Sequence, residues 1–271
     1  MKLIICADDF AQSQEIDAAI VRLIENNRLT ATSCMVNSPH WPSSAKLLTA
    51  EVRQKADIGL HLDFTQFGYR YPHALLILLS LLRCLPKLAI YQSIEHQLDQ
   101  FETALGTPPD YVDGHQHVHQ LPQIRQILLA VLKRRYDKQL PWIRIARPHV
   151  ASGIKGLIIK MLGANALEKN AQQMGFKCSS VLLGVYSFSG NVEDYKKRLR
   201  EWATQARDVV GTSVLMCHPA VDEVLNTTLQ EAVVAKSDVD PIYTARLNEF
   251  TALNSESFNT IFNGLKIVRA P

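Results

Sequence analysis

Leu3-Ile4-Ile5-Cys6-Ala7-Asp8-Asp9-Phe10 is the stretch that decides the fold. An unbroken apolar run without polar alternation predicts a strand buried on both faces, and such strands belong to parallel sheets. The run stops at two adjacent carboxylates. Ser13 then predicts a helix N-cap, and Ile16, Ile20, Leu23 and Ile24 recur at helical spacing up to Asn26-Asn27. The unit is strand, acidic loop, helix.

Outward from there the unit repeats. Thr32 to Val36 predicts a second strand, and Pro42 opens a helix through Ala45, Leu47 and Leu48. Ala56 to Leu60 predicts a third strand, which delivers His61-Leu62-Asp63. Residues 66–91 interrupt the rhythm with an aromatic loop (Phe67, Tyr69, Tyr71) and an apolar helix over Leu75–Leu82. A helix from Ser93 to Leu105 stops at Thr107-Pro108-Pro109.

Tyr111-Val112-Asp113 is a fourth strand and presents Gly114-His115-Gln116-His117-Val118-His119. Pro122 starts the next helix, and Trp142 to Ile145 is a fifth strand ending in Arg147-Pro148-His149. Two further units fall at 154–182 and 191–216. In the second, Asn191 caps a helix, and Ser213 to Met216 runs into Cys217-His218-Pro219. A helix near 241–256 and a strand at Lys266–Val268 close the chain. Strand and helix signals that alternate without a composition break predict one parallel α/β domain over 1–271, a barrel.

The bulk numbers fit. A chain of 271 residues, 47% hydrophobic and 20% charged, suits one soluble α/β barrel. A formal charge of +3 is too small for a nucleic-acid binder, and Lys133-Arg134-Arg135 and Lys196-Lys197-Arg198 read as solvated helix faces. Five scattered cysteines without a CxxC suit a reducing compartment. Asp8-Asp9 precedes any apolar stretch long enough for a signal peptide, and the 75–82 run ends at Arg83 and Pro86, short of a membrane span. The expectation is a cytoplasmic protein.

Asp8, Asp9, His61, Asp113, His115, Arg147 and His218 all fall just past predicted strand ends. In parallel α/β folds those ends share one rim, where ligands bind. Singly, each has an ordinary reading as a helix cap, a core histidine or a turn residue before proline. Together they describe chemistry. Two imidazoles and a carboxylate, with positions left open, make a catalytic divalent-metal site. A second carboxylate can serve as general base and a separate histidine as general acid, a set suited to amide or ester hydrolysis.

Ala7-Asp8-Asp9-Phe10, Gly59-Leu60-His61-Leu62, Asp113-Gly114-His115-Gln116-His117-Val118-His119 and Met216-Cys217-His218-Pro219 resemble the YdjC-like carbohydrate deacetylases, of chitooligosaccharide deacetylase type. The likeness runs from Met1 to about Pro219. It implies a distorted (β/α) TIM-like barrel with mostly parallel strands, and metal-dependent removal of an N-acetyl group from an acetylated sugar. Position by position, it implies Asp9, His61 and His115 as ligands of one divalent ion, Mg or Zn. Asp8 becomes the base acting on the metal-bound water, His218 the proton donor to the leaving amine, and Arg147 the arginine that orients the base. Asp113, His117 and His119 are placed behind the ligands or against substrate.

Two departures stand out. Ala11 occupies a position that is usually glycine in the family, so the first loop is expected to differ. The apolar insertion at about 66–91 replaces a more polar loop. It is read as core or a homodimer interface, with a lid over a hydrophobic acetylated sugar as the alternative. The rival functions are another mononuclear-metal hydrolase such as a phosphoesterase, and a non-catalytic sugar-binding protein on the same fold.

Overall fold

Strand β1 (Lys2–Phe10) has every residue after Lys2 buried, as its unbroken apolar run requires. The computed structural model describes residues 1–68, 71–149, 159, 161–222 and 240–271. From β1 the chain continues through α1 (Gln14–Glu25), β2 (Ala31–Cys34), α2 (Trp41–Ser44), α3 (Ala50–Lys55) and β3 (Asp57–Leu62). Two helices, α4 (His73–Leu81) and α5 (Lys87–Leu105), lie between β3 and β4 (Tyr111–Gly114). A 3-10 segment (His115–Gln120), α6 (Pro122–Arg135) and β5 (Trp142–Ile143) follow. The chain ends with α7 (Ala164–Gln173), β6 (Val181–Leu183), α8 (Val192–Arg207), β7 (Thr212–Cys217), α9 (Tyr243–Leu253), α10 (Phe258–Ile261) and β8 (Lys266–Ile267).

The sheet is parallel throughout, in the order β5-β4-β3-β2-β1-β7-β6. β8 pairs with the start of β1, through Lys2 and Leu3, below the point where β2 takes over that edge at Cys6. Single bridges from Ile143 to Cys178 and from Pro148 to Leu182 link the β5 side to the approach to β6. The sheet therefore curls into a distorted barrel, as expected.

Side-chain alternation sorts each strand into two faces. Leu3, Ile5, Ile58, Leu60, Val112, Ile143 and Leu215 pack in the large core under the helices. Ile4, Cys6, Tyr111, Trp142, Leu182, Val214 and Met216 fill a smaller core inside the barrel. That parity decides which rim residues can reach the site.

Most local signals act as expected. The Ser13 hydroxyl accepts the Ile16 N–H, Asn191 forms a full capping box with Asp194, and Pro122 sits in the first turn of α6. The differences lie at boundaries. α5 begins at Lys87 rather than Ser93, because Pro86 starts it. The predicted helix from Pro42 to Leu48 breaks into α2 and a 3-10 turn, and α3 follows as a separate helix that was not predicted. β5 keeps only two of its four predicted residues. Part of the predicted 154–182 unit, and Tyr69 of the aromatic loop, lie outside the described residues. In the insertion, Leu76 and Ser80 of α4 are buried and Ile77 and Leu79 pack against the core, while Leu75, Leu78 and Leu81 are exposed, so only one side of that helix belongs to the core.

Candidate active site

Asp8 and Asp9 lie within β1 rather than in a loop beyond it. The ladder to β2 shifts register between Ala7 and Phe10, and Asp9 stands at φ 68°. This bulge aims the two neighbouring carboxylates differently. Ala11 takes φ 75°, the left-handed conformation that glycine adopts easily. The buried Asp17 carboxylate holds that turn by accepting the Ala11 N–H at 2.6 Å and the Ser44 hydroxyl at 2.5 Å.

One trio gathers around Asp9. Its Oδ1 lies 3.1 Å from His115 Nδ1 and 3.5 Å from His61 Nε2, and one donor atom from each of the three residues falls within 4.8 Å of the others. His61 Nδ1 is tied to Asp113 Oδ1 at 2.6 Å, which leaves Nε2 facing the other two. That is how a carboxylate behind a ligating histidine fixes its orientation. Burial alone lowers the His61 pKa, but Asp113 and Asp8 outweigh it and push the imidazole up to about 10. The surroundings call for a positive charge, and the donor set suits a divalent ion.

A second cluster orients Asp8. Arg144, fully buried, donates through Nη1 to Asp8 Oδ1 at 2.5 Å and through Nη2 to Asp8 Oδ2 at 2.7 Å. Nη2 also lies 3.0 Å from Asp113 Oδ2. Burial would raise the Asp8 carboxyl, yet the Arg144 guanidinium holds it well below the usual carboxylate range. The buried His119 donates from Nε2 to the Arg144 carbonyl at 2.9 Å, supporting that strand end from beneath.

Arg147 does not orient the base. It pairs with Glu168 and donates to Asn165 and to the Ser180 carbonyl. The physical reason is parity: Trp142 and Ala146 face the barrel interior, Ile143 and Ile145 face the helices, and Arg144 shares the inward set. Arg147 falls in the other register.

The opposite side of the site comes from α9, which the sequence marked only as a late helix. Arg246 donates to Asp9 Oδ2 at 2.8 Å and to Asp240 Oδ2 at 2.6 Å, so Asp9 presents Oδ1 to the histidines. One turn on, the fully buried Glu249 accepts the His218 N–H at 2.5 Å and the Tyr186 hydroxyl at 2.6 Å. Burial pushes Glu249 up to about 7. Burial, with Arg246 and Arg144 nearby, pushes His218 down to about 4 despite Asp9 and Asp8. His218 Nδ1 is buried with no hydrogen-bond partner, and Phe188 meets its ring edge-on at 5.3 Å.

These groups open into one cleft of about 500 Å³. Asp8, Asp9, His61, His115, His117 and His218 make its polar part. Ile77 of α4, Ile159, Leu162, Val185 and Phe188 supply apolar wall. Asp113 lies behind the cleft, as placed from the sequence. Arg144, Arg246 and Glu249 were missed. Alternation in β5 was a usable signal for Arg144, whereas the docking of α9 on the barrel rim left no local mark.

The Glu249 environment has a measurable consequence. Its folded pKa of about 7 lies above its ordinary value of 4.5, so its contribution to stability is full below that value and is lost as pH rises through about 7. Glu249→Gln is expected to remove this part of the slope. Thermal melts of both proteins at pH 4.5 and pH 8 would show it, and an unchanged slope in the variant refutes the assignment.

A parallel (β/α) barrel carries, at the C-terminal rim, an Asp-His-His trio that could hold a cation and a separately clamped carboxylate beside it. The chain belongs to the YdjC-like protein family, whose model matches residues 2–263. A chitooligosaccharide deacetylase of Yersinia enterocolitica serotype O:8 is 25% identical over 246 residues, covering 83% of this chain and 85% of the relative. Its counterpart in Yersinia pestis strain Pestoides F is 27% identical over 243 residues, with the same two shares, 83% and 85%. A solved structure from Enterococcus faecalis V583, of a candidate cellobiose-phosphate cleavage protein, has the same fold. It superposes with a TM-score of 0.71 at 19% identity, over 99% of this chain and 97% of that one.

Proposed function

We propose that this protein is a metal-dependent carbohydrate deacetylase, hydrolysing the N-acetyl group of an acetylated sugar to acetate and a free amine. The observation that carries the reading is the Asp9, His61 and His115 trio beside a carboxylate, Asp8, that Arg144 withholds from it. The naming of the Yersinia relatives as chitooligosaccharide deacetylases supports it.

Asp9, His61 and His115 would hold the ion. When bound, a divalent cation polarises an amide carbonyl and makes water easier to deprotonate. One oxygen and two imidazole nitrogens suit zinc by softness, and magnesium would need further oxygen ligands from water. Asp8, ionised and fixed in direction by Arg144, takes the proton from the attacking water as its oxygen bonds to the acetyl carbon. His218 delivers a proton to the sugar nitrogen as the C–N bond breaks, since an amine leaves poorly unprotonated. Burial keeps His218 neutral at rest, so it gains that proton during turnover, and Asp8 faces the same cleft. His117 lines the cleft with Nδ1 unpartnered, which supports a contact to a sugar hydroxyl. The five free cysteines fit a reducing, cytoplasmic setting.

The test is acetate release from N-acetylated sugars, diacetylchitobiose among them, with Zn²⁺, with Mg²⁺ and with a chelator. Acetate that appears with metal and vanishes with chelator is the expected result. A folded, metal-loaded protein silent across the panel overturns the reading in favour of a binding role.

A further inference from the structure

The α4 helix faces two ways. His73 and Ile77, one turn apart, line the catalytic cleft, and Leu76 and Ser80 point into the core. Leu75, Leu78, Leu81 and Leu82 face outward, and Leu88 of α5 joins them, at 41% to 68% exposure each. The surface continues into a shallow groove between α5 and α6 lined by Leu88, Tyr91, Ile127 and Ala130. Arg83, which donates to Gln126 on α6, joins the two parts. An apolar face of this kind on a soluble domain marks an interaction site.

Its charge identifies what it meets. No carboxylate occurs between Asp63 and Glu95, a stretch that contains Arg70, Arg83 and Lys87. Arg83 and Lys87 flank the exposed leucines, and Lys87 edges the groove together with Arg134, which is paired with Glu95. A second copy docking across a two-fold axis would set this patch against itself, cation against cation. An anionic lipid surface complements both features, with leucines entering the acyl boundary and Arg and Lys at the headgroups. Among the described residues no helix is long and apolar enough to cross a membrane, so the contact would be peripheral.

We propose that α4 and the start of α5 dock this protein on an anionic membrane surface, with the cleft that His73 and Ile77 of the same helix line lying beside the lipid. In combination with the deacetylase reading above, on which this part rests, the substrate class is an acetylated amino sugar carried on a lipid. Its head enters past His73 and Ile77 while its tail stays in the bilayer.

The experiment is sedimentation with vesicles of phosphatidylcholine alone and of phosphatidylcholine mixed equally with phosphatidylglycerol. The wild type is expected to sediment with the anionic vesicles, and high salt should weaken it. Leu78→Ser with Leu82→Ser, and separately Arg83→Glu with Lys87→Glu, should each lower binding about tenfold or more. Because these side chains are exposed, and Arg83 gives up only a surface hydrogen bond to Gln126, both variants should melt close to the wild type and release acetate from a soluble sugar at its rate. Wild-type protein left in the supernatant overturns the proposal. So does self-association in sedimentation equilibrium that the same substitutions abolish, with no vesicle binding, which makes the face an interface between copies. Vesicle binding requires no turnover, so a failed deacetylase assay leaves this result standing. Acetate released equally well from soluble sugar and from N-acetylglucosaminyl lipid in vesicles overturns the substrate class alone.

Discussion

Asp8→Asn is expected to leave the fold and the capacity for a divalent ion intact while lowering kcat by a factor of about 10² to 10⁴. The amide keeps the shape of the carboxylate and can still accept from Arg144, but it cannot take a proton from water. Arg144 retains a charged partner in Asp113, at 3.0 Å, so the buried guanidinium is not stranded. Under the proposed function, the ion is expected to depend on the neighbouring residue. Asp9→Asn weakens the only anionic member of the Asp-His-His trio and should lose metal before it loses structure. Metal stoichiometry measured beside kcat separates the two positions. An Asp8→Asn enzyme with wild-type turnover would move the base elsewhere, with His218 the next group in the cleft.

The contrast between Asp8 and Asp9 shows what a sequence can and cannot disclose. Apolar runs, caps and prolines fixed the order of the strands and helices, since each acts over a few residues. Convergence of Asp8, Asp9, His61, His115 and His218 followed from their places at the ends of predicted strands, because the C-terminal ends of parallel strands share one rim. Parity was also readable. Tyr111 and Asp113, and Trp142 and Arg144, stand two apart on inward faces, so Arg144 rather than Arg147 was the arginine in phase with the base. What stayed hidden depends on tertiary docking. Arg246 and Glu249 reach the site because α9 packs on the rim, and their spacing alone marks a helix face without naming its neighbour. The turn at Ala11 was partly legible, since the glycine usual at that position in the family points to a positive φ, but Asp17, which holds alanine in that conformation, looks like an ordinary first-turn acid.

Arg144→Leu should be the most damaging single change in the barrel, costing about 3–5 kcal/mol of stability together with activity. The side chain lies fully buried between Asp8 and Asp113, and leucine leaves Asp8 without its guanidinium and Asp113 with only the His61 imidazole at 2.6 Å. Arg144→Lys should recover only part of the loss, because one ammonium cannot reproduce the paired contacts at 2.5 and 2.7 Å. Arg147→Ala serves as the control. Its pairing with Glu168 is partly exposed, so it should cost no more than about 1 kcal/mol and leave turnover unchanged. The pH dependence gives the sharper reading. In the wild type the Asp8 carboxyl is held down, so its contribution is present above the ordinary carboxylate pKa and is lost as acid protonates it. Without the guanidinium, burial becomes the dominant influence and raises Asp8 instead. The sign then reverses, and the protonated form is favoured in the fold. The deficit of Arg144→Leu relative to wild type should therefore narrow as pH falls from 8 to 5 in urea melts. A deficit that stays constant over that range would mean the guanidinium acts through packing rather than charge, and Asp8 would need another source for its ionised state.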